Sequence, residues 1–333
     1  MDEKQLAEFE QRLTEAGGRI NPLLHELFPA GDKDYISRPF WHHMESGGKR
    51  VRPALCLMCC EHLGGDSDAA LPFAAAVELL HNMLLIHDDL EDGDAIRRDK
   101  PTVWKQFGQG NAINVGDYML GRAYSAILRC PVDDTKLRQL ISAFTRAYEH
   151  TCAGQALDLN CRGSKDFTVS DYLRMVELKT GDYLALGMVG GALIAGMRPE
   201  ETQPIRELGS NMGPAFQIRD DIIDLTKGKG RGGEIGNDIR EGKPSILYAH
   251  SLNVAEPEMK AKLLKIIRKP RAETKTHDVE TVLEVYRSTG SIEFAQKKAN
   301  QLVEEAFATL ESIPIKDSAF FQQVARFMAE RTR

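Results

Sequence analysis

Asp88-Asp89-Leu90-Glu91-Asp92 ends one apolar, helix-like stretch of the chain, and Asp220-Asp221-Ile222-Ile223-Asp224 ends another, 132 residues later. Both segments have the pattern D-D-x-x-D. Residues three and four positions apart share a face of a helix, so each segment gathers its three aspartates at one spot, where their carboxylates repel one another. Hard cations remove this repulsion, and Mg2+ takes one or two carboxylates per ion together with phosphate oxygens of a substrate. The two segments therefore predict a magnesium–diphosphate site between two helices.

The rest of the chain has the pattern of an all-α protein. Apolar residues recur at helical spacing nearly everywhere, and hardly any segment alternates with the period of a half-buried strand. No repeat or Pro- or Ser-rich linker divides the chain, so we expect a single domain over 1–333, with 1–20 as a peripheral N-terminal helix, although length alone would allow two domains. The predicted helices are 3–28, 51–64, 68–92, 111–129, 135–162, 169–180, 182–196, 201–226, 243–251, 257–268, 277–288, 290–311 and 317–331.

Composition restricts the classes of function. The chain is 42% hydrophobic and 28% charged, as in ordinary soluble proteins, and its net charge of −6 argues against a general nucleic-acid binder. The charged N-terminus lacks the apolar core of a secretory signal, and no uninterrupted apolar run approaches the length of a membrane span. We therefore expect a cytoplasmic protein without stable membrane insertion.

The six cysteines show no disulfide-framework spacing, which favours a reducing compartment. The densest group is Cys56-x-x-Cys59-Cys60-x-His62, whose residue types are those of a zinc site. It lies inside an apolar helical run, however, and no second Cys or His pair follows at the spacing of a zinc finger. We expect these side chains to belong to the core.

Two basic segments and one glycine-rich segment have the composition of anion-binding sites. Lys49 and Arg52 are three positions apart, so one helix face can hold both against an anion, and arginine forks such as those of Arg97-Arg98 suit phosphate oxygens. Gly228-x-Gly230-x-x-Gly233 has the form of a dinucleotide fingerprint, but it follows a helix rather than a strand. We expect a flexible active-site loop over 227–242 instead.

Several of these segments together resemble one family. The chain contains, in order, Gly48-Lys49-Arg50-Val51-Arg52-Pro53, the stretch from His81 to Asp89, Arg97-Arg98-Asp99-Lys100-Pro101-Thr102, Lys179-Thr180, the stretch from Phe216 to Asp221, and Gly236-Asn237-Asp238. From about residue 20 onward it resembles the trans-type short-chain isoprenyl diphosphate synthases of the polyprenyl synthetase family. The resemblance implies an orthogonal bundle of long helices around a deep central cavity, usually in a homodimer. It also implies head-to-tail condensation of isopentenyl diphosphate with an allylic diphosphate.

The resemblance further implies roles for individual residues. Mg2+ would be held by Asp88, Asp92 and Asp220, supported by Asp89, Asp221 and Asp224. The allylic diphosphate would be held by Arg97, Lys179 and Lys243, and isopentenyl diphosphate by Lys49, Arg52, His81 and Arg98. Gln217 and Thr180 would face the allylic cation.

In this family the product tail grows toward residues one or two turns before the first aspartates. Here the floor would be formed by Leu80, Met83 and Leu84. Aromatic side chains there imply a C15 product and alanine implies a long chain. Leucine and the compliant methionine are intermediate, so we expect geranylgeranyl diphosphate (C20) first and farnesyl diphosphate (C15) second.

One position departs from the family pattern. Farnesyl-type members have a lysine four residues before the aspartate of the glycine-rich loop, where this chain has Glu234; Lys227, Lys229 or Arg231 would have to replace its charge.

Two other functions stay open. A class I terpene cyclase would need one aspartate triplet and no second diphosphate pocket, and a non-catalytic regulatory subunit would be expected to have eroded aspartate motifs.

Overall fold

Helices make up nearly all of the regular structure. A computed structural model describes residues 3–29, 31, 35–226, 235–311 and 318–330. The helices are α1 (Glu3–Gly18), α2 (Asn21–Leu27), α3 (Ser37–Met44), α4 (Val51–His62), α5 (Ser67–Glu91), α6 (Val103–Phe107), α7 (Gln109–Ile127), α8 (Asp134–Asn160), α9 (Val169–Val176), α10 (Asp182–Ile194), α11 (Gln203–Asp224), α12 (Asn237–Glu241), α13 (Ile246–Val254), α14 (Pro257–Ile267), α15 (Thr276–Ser288), α16 (Ser291–Glu311) and α17 (Ala319–Glu330). Strands β1 (Ile96–Arg97) and β2 (Lys100–Pro101) form an antiparallel hairpin. A π-helical turn, Glu177–Gly181, joins α9 to α10, and 3-10 turns lie at Pro199–Thr202 and Arg271–Glu273.

The all-α prediction is confirmed, and the differences lie at helix ends and in short elements between the long helices. The predicted helix 3–28 is two helices, because the chain turns at Arg19 and Ile20 and restarts with Pro22 in the first turn of α2, where proline is well tolerated. Helices α3, α6 and α12 were not predicted, and α12 lies within 227–242, where we expected a flexible loop. The predicted loop before residue 101 contains the hairpin, and its turn residues, Arg98 and Asp99, have φ of 50° and 62°. Left-handed non-glycine residues of this kind are not visible in helical periodicity.

Contacts divide the chain into two units, each assembled from separate segments. Unit 1 consists of Met1–Tyr148, Leu184–Arg206 and Pro314–Gln323, and unit 2 of Glu149–Tyr183, Glu207–Ile313 and Val324–Arg333. The single domain over 1–333 stays a prediction.

In unit 1, α10 lies backbone to backbone against α4. A Cβ atom at Gly187 would come 2.5 Å from the Arg52 carbonyl oxygen, and one at Gly191 would come 2.2 Å from the Cys56 carbonyl oxygen. Only glycine permits such an approach. Cys56 is fully buried, as are Cys59 and Cys60 on the same helix, and burial raises the pKa of the Cys60 thiol to about 11. These cysteines are core residues, as expected.

Helix α5 is the centre of unit 1. Asp66 caps its N-terminus by accepting a hydrogen bond from the Asp68 backbone N–H, and left-handed Gly93 (φ 69°) follows its end. By length and composition α5 could cross a membrane, which corrects our expectation that no run is long and apolar enough. However, 67% of its most apolar stretch is buried inside the protein, as is usual for a core helix.

Candidate active site

Helix α5 has a partly accessible stripe that leads toward its C-terminal end. His81, Leu84, Leu85 and Asp88 are all partly exposed, and their spacing of i, i+3, i+4 and i+7 places them on one face. The sequence pattern therefore becomes a surface with a histidine at one end, a carboxylate at the other and two apolar side chains between them.

The carboxylates at the end of α5 differ in exposure. The Asp88 side chain is 22% exposed, whereas Asp89, Asp92 and Asp94 are buried. Burial, together with the negative charges of Asp88 and Asp94, raises the pKa of Asp89 to about 7, although Arg97 opposes the shift. Asp89 Oδ2 is also buried without a hydrogen-bond partner among the described residues. A crowded carboxylate group of this kind fits a bound cation.

The hairpin directs its two arginines to different partners. Arg97 Nε donates to Asp89 Oδ1 over 2.7 Å, and Arg97 Nη2 lies 3.8 Å from Asp88 Oδ2. Arg98 instead donates to the carbonyl of Gly47, and Lys100 Nζ donates to the carbonyl of Glu45 over 3.1 Å. The hairpin thus joins the first aspartate motif to the segment that precedes α4.

Within unit 1, Arg52, His81 and Arg98 belong to one electrostatic cluster. Burial, and then the positive charges of Arg52 and Arg98, lower the pKa of His81 well below its usual value, so its imidazole is neutral at pH 7. Lys49 stands apart from this cluster, because its Nζ is paired with Glu10 Oε1 of α1 at 2.9 Å. Both side chains of that pair are more than a third exposed, so the pair is easily exchanged for an anionic ligand.

Helix α11 in unit 2 separates its aspartates in the same way. Asp220 is partly exposed, whereas Asp221 and Asp224 are buried. Asp221 accepts hydrogen bonds from the Tyr172 hydroxyl (2.8 Å) and from Gln217 Nε2 (2.9 Å). Because the Gln217 nitrogen is used in this way, its amide oxygen points elsewhere. Tyr172 was not predicted from the sequence, since nothing in the local pattern around it indicates a partner 49 positions away.

Asp224 accepts hydrogen bonds from the backbone near the start of α12. Its Oδ2 accepts the Asp238 backbone N–H over 3.1 Å, and its carbonyl accepts the Gly236 N–H over 2.9 Å. The third aspartate of this motif therefore connects the end of α11 to the start of α12. Residues 227–234, which include Lys227, Lys229, Arg231 and Glu234, lie outside the described residues.

Lys179 and Thr180 lie in the π-helical turn between α9 and α10. Lys179 Nζ donates to buried Asp158 over 2.7 Å, and the Thr180 hydroxyl donates to the Val176 carbonyl over 2.5 Å. The turn is closely packed: a Cβ atom at Gly154 of α8 would come 2.3 Å from the Lys179 nitrogen. Such π turns are frequent at functional sites. Gly154 and Asp158 were not predicted.

Lys243 of unit 2 is held by acidic neighbours. Its Nζ lies 2.9 Å from Glu241 Oε2 and 3.7 Å from Asp238 Oδ1. The Glu241 side chain is 1% exposed and also pairs with Arg271 at 3.2 Å. The described structure thus places Lys243 in a partly buried ion-pair group.

Comparison with known proteins decides the family. The family model described as polyprenyl synthetase matches residues 33–286. The chain belongs to the polyprenyl synthetase family. It is 34% identical over 279 residues to a short chain isoprenyl diphosphate synthase of Methanocaldococcus jannaschii, covering 84% of this chain and 83% of the relative. It is 29% identical over 314 residues to a geranylgeranyl diphosphate synthase of Methanosarcina mazei, covering 94% of each chain.

Solved structures agree with this assignment. A geranylgeranyl pyrophosphate synthetase from Pyrococcus horikoshii matches with a TM-score of 0.88 at 32% identity. The match covers 98% of this chain and 99% of that structure. A polyprenyl synthase from Caulobacter crescentus, complexed with calcium and isoprenyl diphosphate, matches with a TM-score of 0.85 at 26% identity. The match covers 97% of this chain and 98% of that structure. The predicted family and the all-α isoprenoid synthase fold are confirmed. As a member of this polyprenyl synthetase family, the chain is a prenyltransferase.

The three residues expected to set the chain length lie on two sides of α5. Leu80 and Met83 are 0% and 2% exposed, and both belong to the core of unit 1. Leu84 lies on the accessible stripe with His81 and Asp88. Of the three expected floor residues, only Leu84 has a surface that a ligand on that stripe could touch.

The described carboxylates suit a metal that is shared with a substrate. In the part of the chain that the structure describes, no group of three or more His, Cys, Asp or Glu side chains forms a metal cage by itself. Mg2+ usually keeps several waters and takes one or two carboxylates plus phosphate oxygens, so a polyprenyl synthetase site does not need such a cage. Asp88 in unit 1 and Asp220 in unit 2 are the accessible aspartates of their motifs, and each suits this role.

Proposed function

We propose that this chain is a Mg2+-dependent synthase that condenses isopentenyl diphosphate head-to-tail with dimethylallyl, geranyl or farnesyl diphosphate. We propose geranylgeranyl diphosphate (C20) as its product and farnesyl diphosphate (C15) as the next candidate. The proposal is carried by the combination of two D-D-x-x-D motifs, each with an accessible first aspartate, and a basic cluster around His81 in unit 1. The relatives named geranylgeranyl diphosphate synthase support the same product.

Three aspartates would hold the metal. Asp88, Asp92 and Asp220 are the proposed Mg2+ ligands, and bound Mg2+ would neutralise the charge that develops on the departing diphosphate. Asp89 is fixed by Arg97, and Asp221 is fixed by Tyr172 and Gln217. These hydrogen bonds restrain the carboxylates next to the proposed ligands. Arg97, Lys179 and Lys243 are the proposed cationic contacts of the allylic diphosphate.

Two neutral dipoles can stabilise the allylic cation. Gln217 uses its nitrogen on Asp221, which leaves the amide oxygen as the group that can face the cation. Thr180 donates its proton to the Val176 carbonyl, so its oxygen presents lone pairs to other neighbours. Neither group traps the cation covalently. Carbon 4 of isopentenyl diphosphate then attacks the cation, and the departed diphosphate accepts the proton that the new cation loses.

The second substrate would bind without metal. Arg52 and Arg98, with neutral His81 as a hydrogen-bond donor, form the proposed pocket for the diphosphate of isopentenyl diphosphate. Lys49 would join them when its exposed pair with Glu10 opens. A terpene cyclase has no use for this second pocket. A non-catalytic subunit would not be expected to retain both aspartate motifs.

Incubation with labelled isopentenyl diphosphate tests the proposal. We expect label in a prenyl diphosphate when an allylic primer and Mg2+ are present, and none after chelation by EDTA. Separate reactions with dimethylallyl, geranyl and farnesyl diphosphate identify the primer and the product length. A cyclase would convert the allylic substrate without incorporating label, and a regulatory subunit would do neither.

We also propose that the chain works as a cytoplasmic homodimer without stable membrane insertion. The composition supports a cytoplasmic protein without membrane insertion, and the family resemblance supports the dimer. Sedimentation of the purified protein in buffer tests the dimer and its independence of detergent. A monomer at micromolar concentration, or a requirement for detergent, would contradict it.

Replacement of Leu84 by Ala is expected to lengthen the products by at least one isoprene unit. Leu84 lies on the accessible stripe, so truncation opens space for a growing tail. Met83→Ala should lengthen them less, because Met83 is 2% exposed and its truncation mainly costs stability, about 2–5 kcal/mol. Chromatography of the dephosphorylated products gives the comparison, and exposed Leu128 (62%) replaced by Ala is the control. An unchanged distribution for Leu84→Ala would place the floor elsewhere.

A further inference from the structure

Glu78 is a buried carboxylate that the reaction, as described so far, does not use. It lies one turn before His81 on α5 and is 4% exposed. Its Oε1 accepts hydrogen bonds from Arg50 Nη1 (3.2 Å) and Asn82 Nδ2 (2.9 Å). Its Oε2 is buried without a hydrogen-bond partner among the described residues. A buried carboxylate is costly unless it is paired, so its position requires an explanation.

The hydrogen bonds continue beyond Glu78 in one direction. Asn82 also donates Nδ2 to the Glu78 carbonyl over 2.8 Å, which leaves Oδ1 as its acceptor. His43 Nε2 lies 3.1 Å from that oxygen. Burial and the charges of Arg97 and Arg98 lower the pKa of His43 to about 3, so its ring is neutral and donates through Nε2. The direction of donation is therefore from His43 to Asn82 and from Asn82 to Glu78, which also accepts from Arg50.

Arg50 connects this hydrogen-bond network to the backbone at the start of α4. It is a non-glycine residue in the left-handed region (φ 44°), and it directly precedes α4. Such a conformation is strained for a residue with a Cβ atom and persists only where the surroundings hold it. The Arg50 backbone is also enclosed, since a Cβ atom at Gly17 would come 2.8 Å from its carbonyl oxygen. Lys49 precedes this residue and Arg52 lies in the first turn after it.

The charges point to the same cluster. The positive charges of Arg50, Arg52 and Arg98 act on the Glu78 carboxylate and oppose the rise in its pKa that burial causes. Glu78 is thus an internal anion among the cations that we assign to isopentenyl diphosphate. The Arg97–Asp89 pair of the first aspartate motif is a separate contact.

We propose that Glu78 is the positioning residue of the isopentenyl diphosphate pocket. By holding Arg50, and through Asn82 and His43 the end of α3, it fixes the backbone from which Lys49 and Arg52 project. The proposal rests on the proposed function, because it assumes that this pocket takes the metal-free diphosphate. It predicts that loss of the Glu78 charge weakens the binding of isopentenyl diphosphate and leaves the binding of the allylic diphosphate nearly unchanged.

Calorimetric binding of isopentenyl diphosphate, without metal, and of geranyl diphosphate, with Mg2+, tests the proposal on the full chain. Glu78→Gln is expected to raise the Kd for isopentenyl diphosphate about tenfold, the size of one charge-assisted hydrogen bond, and to change the Kd for geranyl diphosphate less than about twofold. Arg50→Met should have the same effect, and the double variant should be no weaker than either single one. Glu78→Asp should recover part of the affinity.

Glu26→Gln is the matched control, because Glu26 pairs with Arg129 at 2.7 Å in the same unit but on the surface. Thermal unfolding of each variant shows whether it is folded. An equal rise in the Kd for both ligands, or an unchanged Kd for isopentenyl diphosphate, would overturn the positioning role of Glu78. If the wild-type chain binds isopentenyl diphosphate but makes no product, the proposed function fails while these binding constants still decide the role of Glu78. If the wild-type chain does not bind isopentenyl diphosphate, both the proposed function and the positioning role of Glu78 are overturned.

Discussion

Replacement of Asp88 by Asn is expected to lower kcat by about 10^3-fold, because electrostatic stabilisation of a leaving group is usually the largest catalytic contribution. Asp88 is the accessible aspartate of its motif, with 22% of its side chain exposed, and it is a proposed Mg2+ ligand. Asparagine keeps the shape of the side chain and removes the charge. Initial rates of labelled isopentenyl diphosphate incorporation, measured over a range of Mg2+ concentrations, give the effect on kcat.

The stability of the Asp88→Asn variant should move in the opposite direction. Removing one of several neighbouring negative charges relieves repulsion of a few tenths of a kcal/mol per pair, about the size seen on model helices. We therefore expect an unchanged or slightly higher Tm without Mg2+. Asp117→Asn, at an exposed position of α7, is the control and should retain full activity. Wild-type kcat for Asp88→Asn at all Mg2+ concentrations would show that Asp88 does not bind the metal.

The second large effect is expected from Gly154→Ala. The added methyl group would lie 2.3 Å from the Lys179 nitrogen and 2.6 Å from its Cα atom, and neither backbone atom can yield without moving the π-helical turn. We expect kcat to fall by about 10^2-fold, as misplacement of a binding group by about 1 Å can do. The free energy of unfolding should fall by about 1–3 kcal/mol through overpacking.

Helix α7 offers a matched control for this substitution. Gly121 is helical like Gly154, but a Cβ atom there would meet nothing within 4 Å. Gly121→Ala should therefore leave kcat unchanged and stabilise the protein by up to about 1 kcal/mol through helix propensity. Urea unfolding and steady-state kinetics measure both quantities. A Gly154→Ala variant with wild-type activity would mean that the position of Lys179 is unimportant.

Much of the protein could be predicted without a structure. Apolar periodicity is a local property that the chain shows directly, so the long helices and the all-α class were predicted well, with errors at helix ends and in the short helices α3, α6 and α12. The D-D-x-x-D segments are equally local, because three carboxylates within five residues share a helix face wherever the helix packs. Their order along the chain, with Arg97-Arg98 and Lys179-Thr180 between them, was enough to identify the family.

Only the tertiary structure separated residues that the sequence makes look equivalent. Asp220 is accessible while Asp221 is held by Tyr172, and Leu84 is accessible while Met83 is buried. The partners that decide these differences are far away in the chain: Tyr172 is 49 positions from Asp221, Asp158 is 21 from Lys179, and Arg50 is 28 from Glu78. Such pairs arise because desolvated polar groups must find partners among whichever helices pack beside them, and periodicity along one helix does not specify its neighbours.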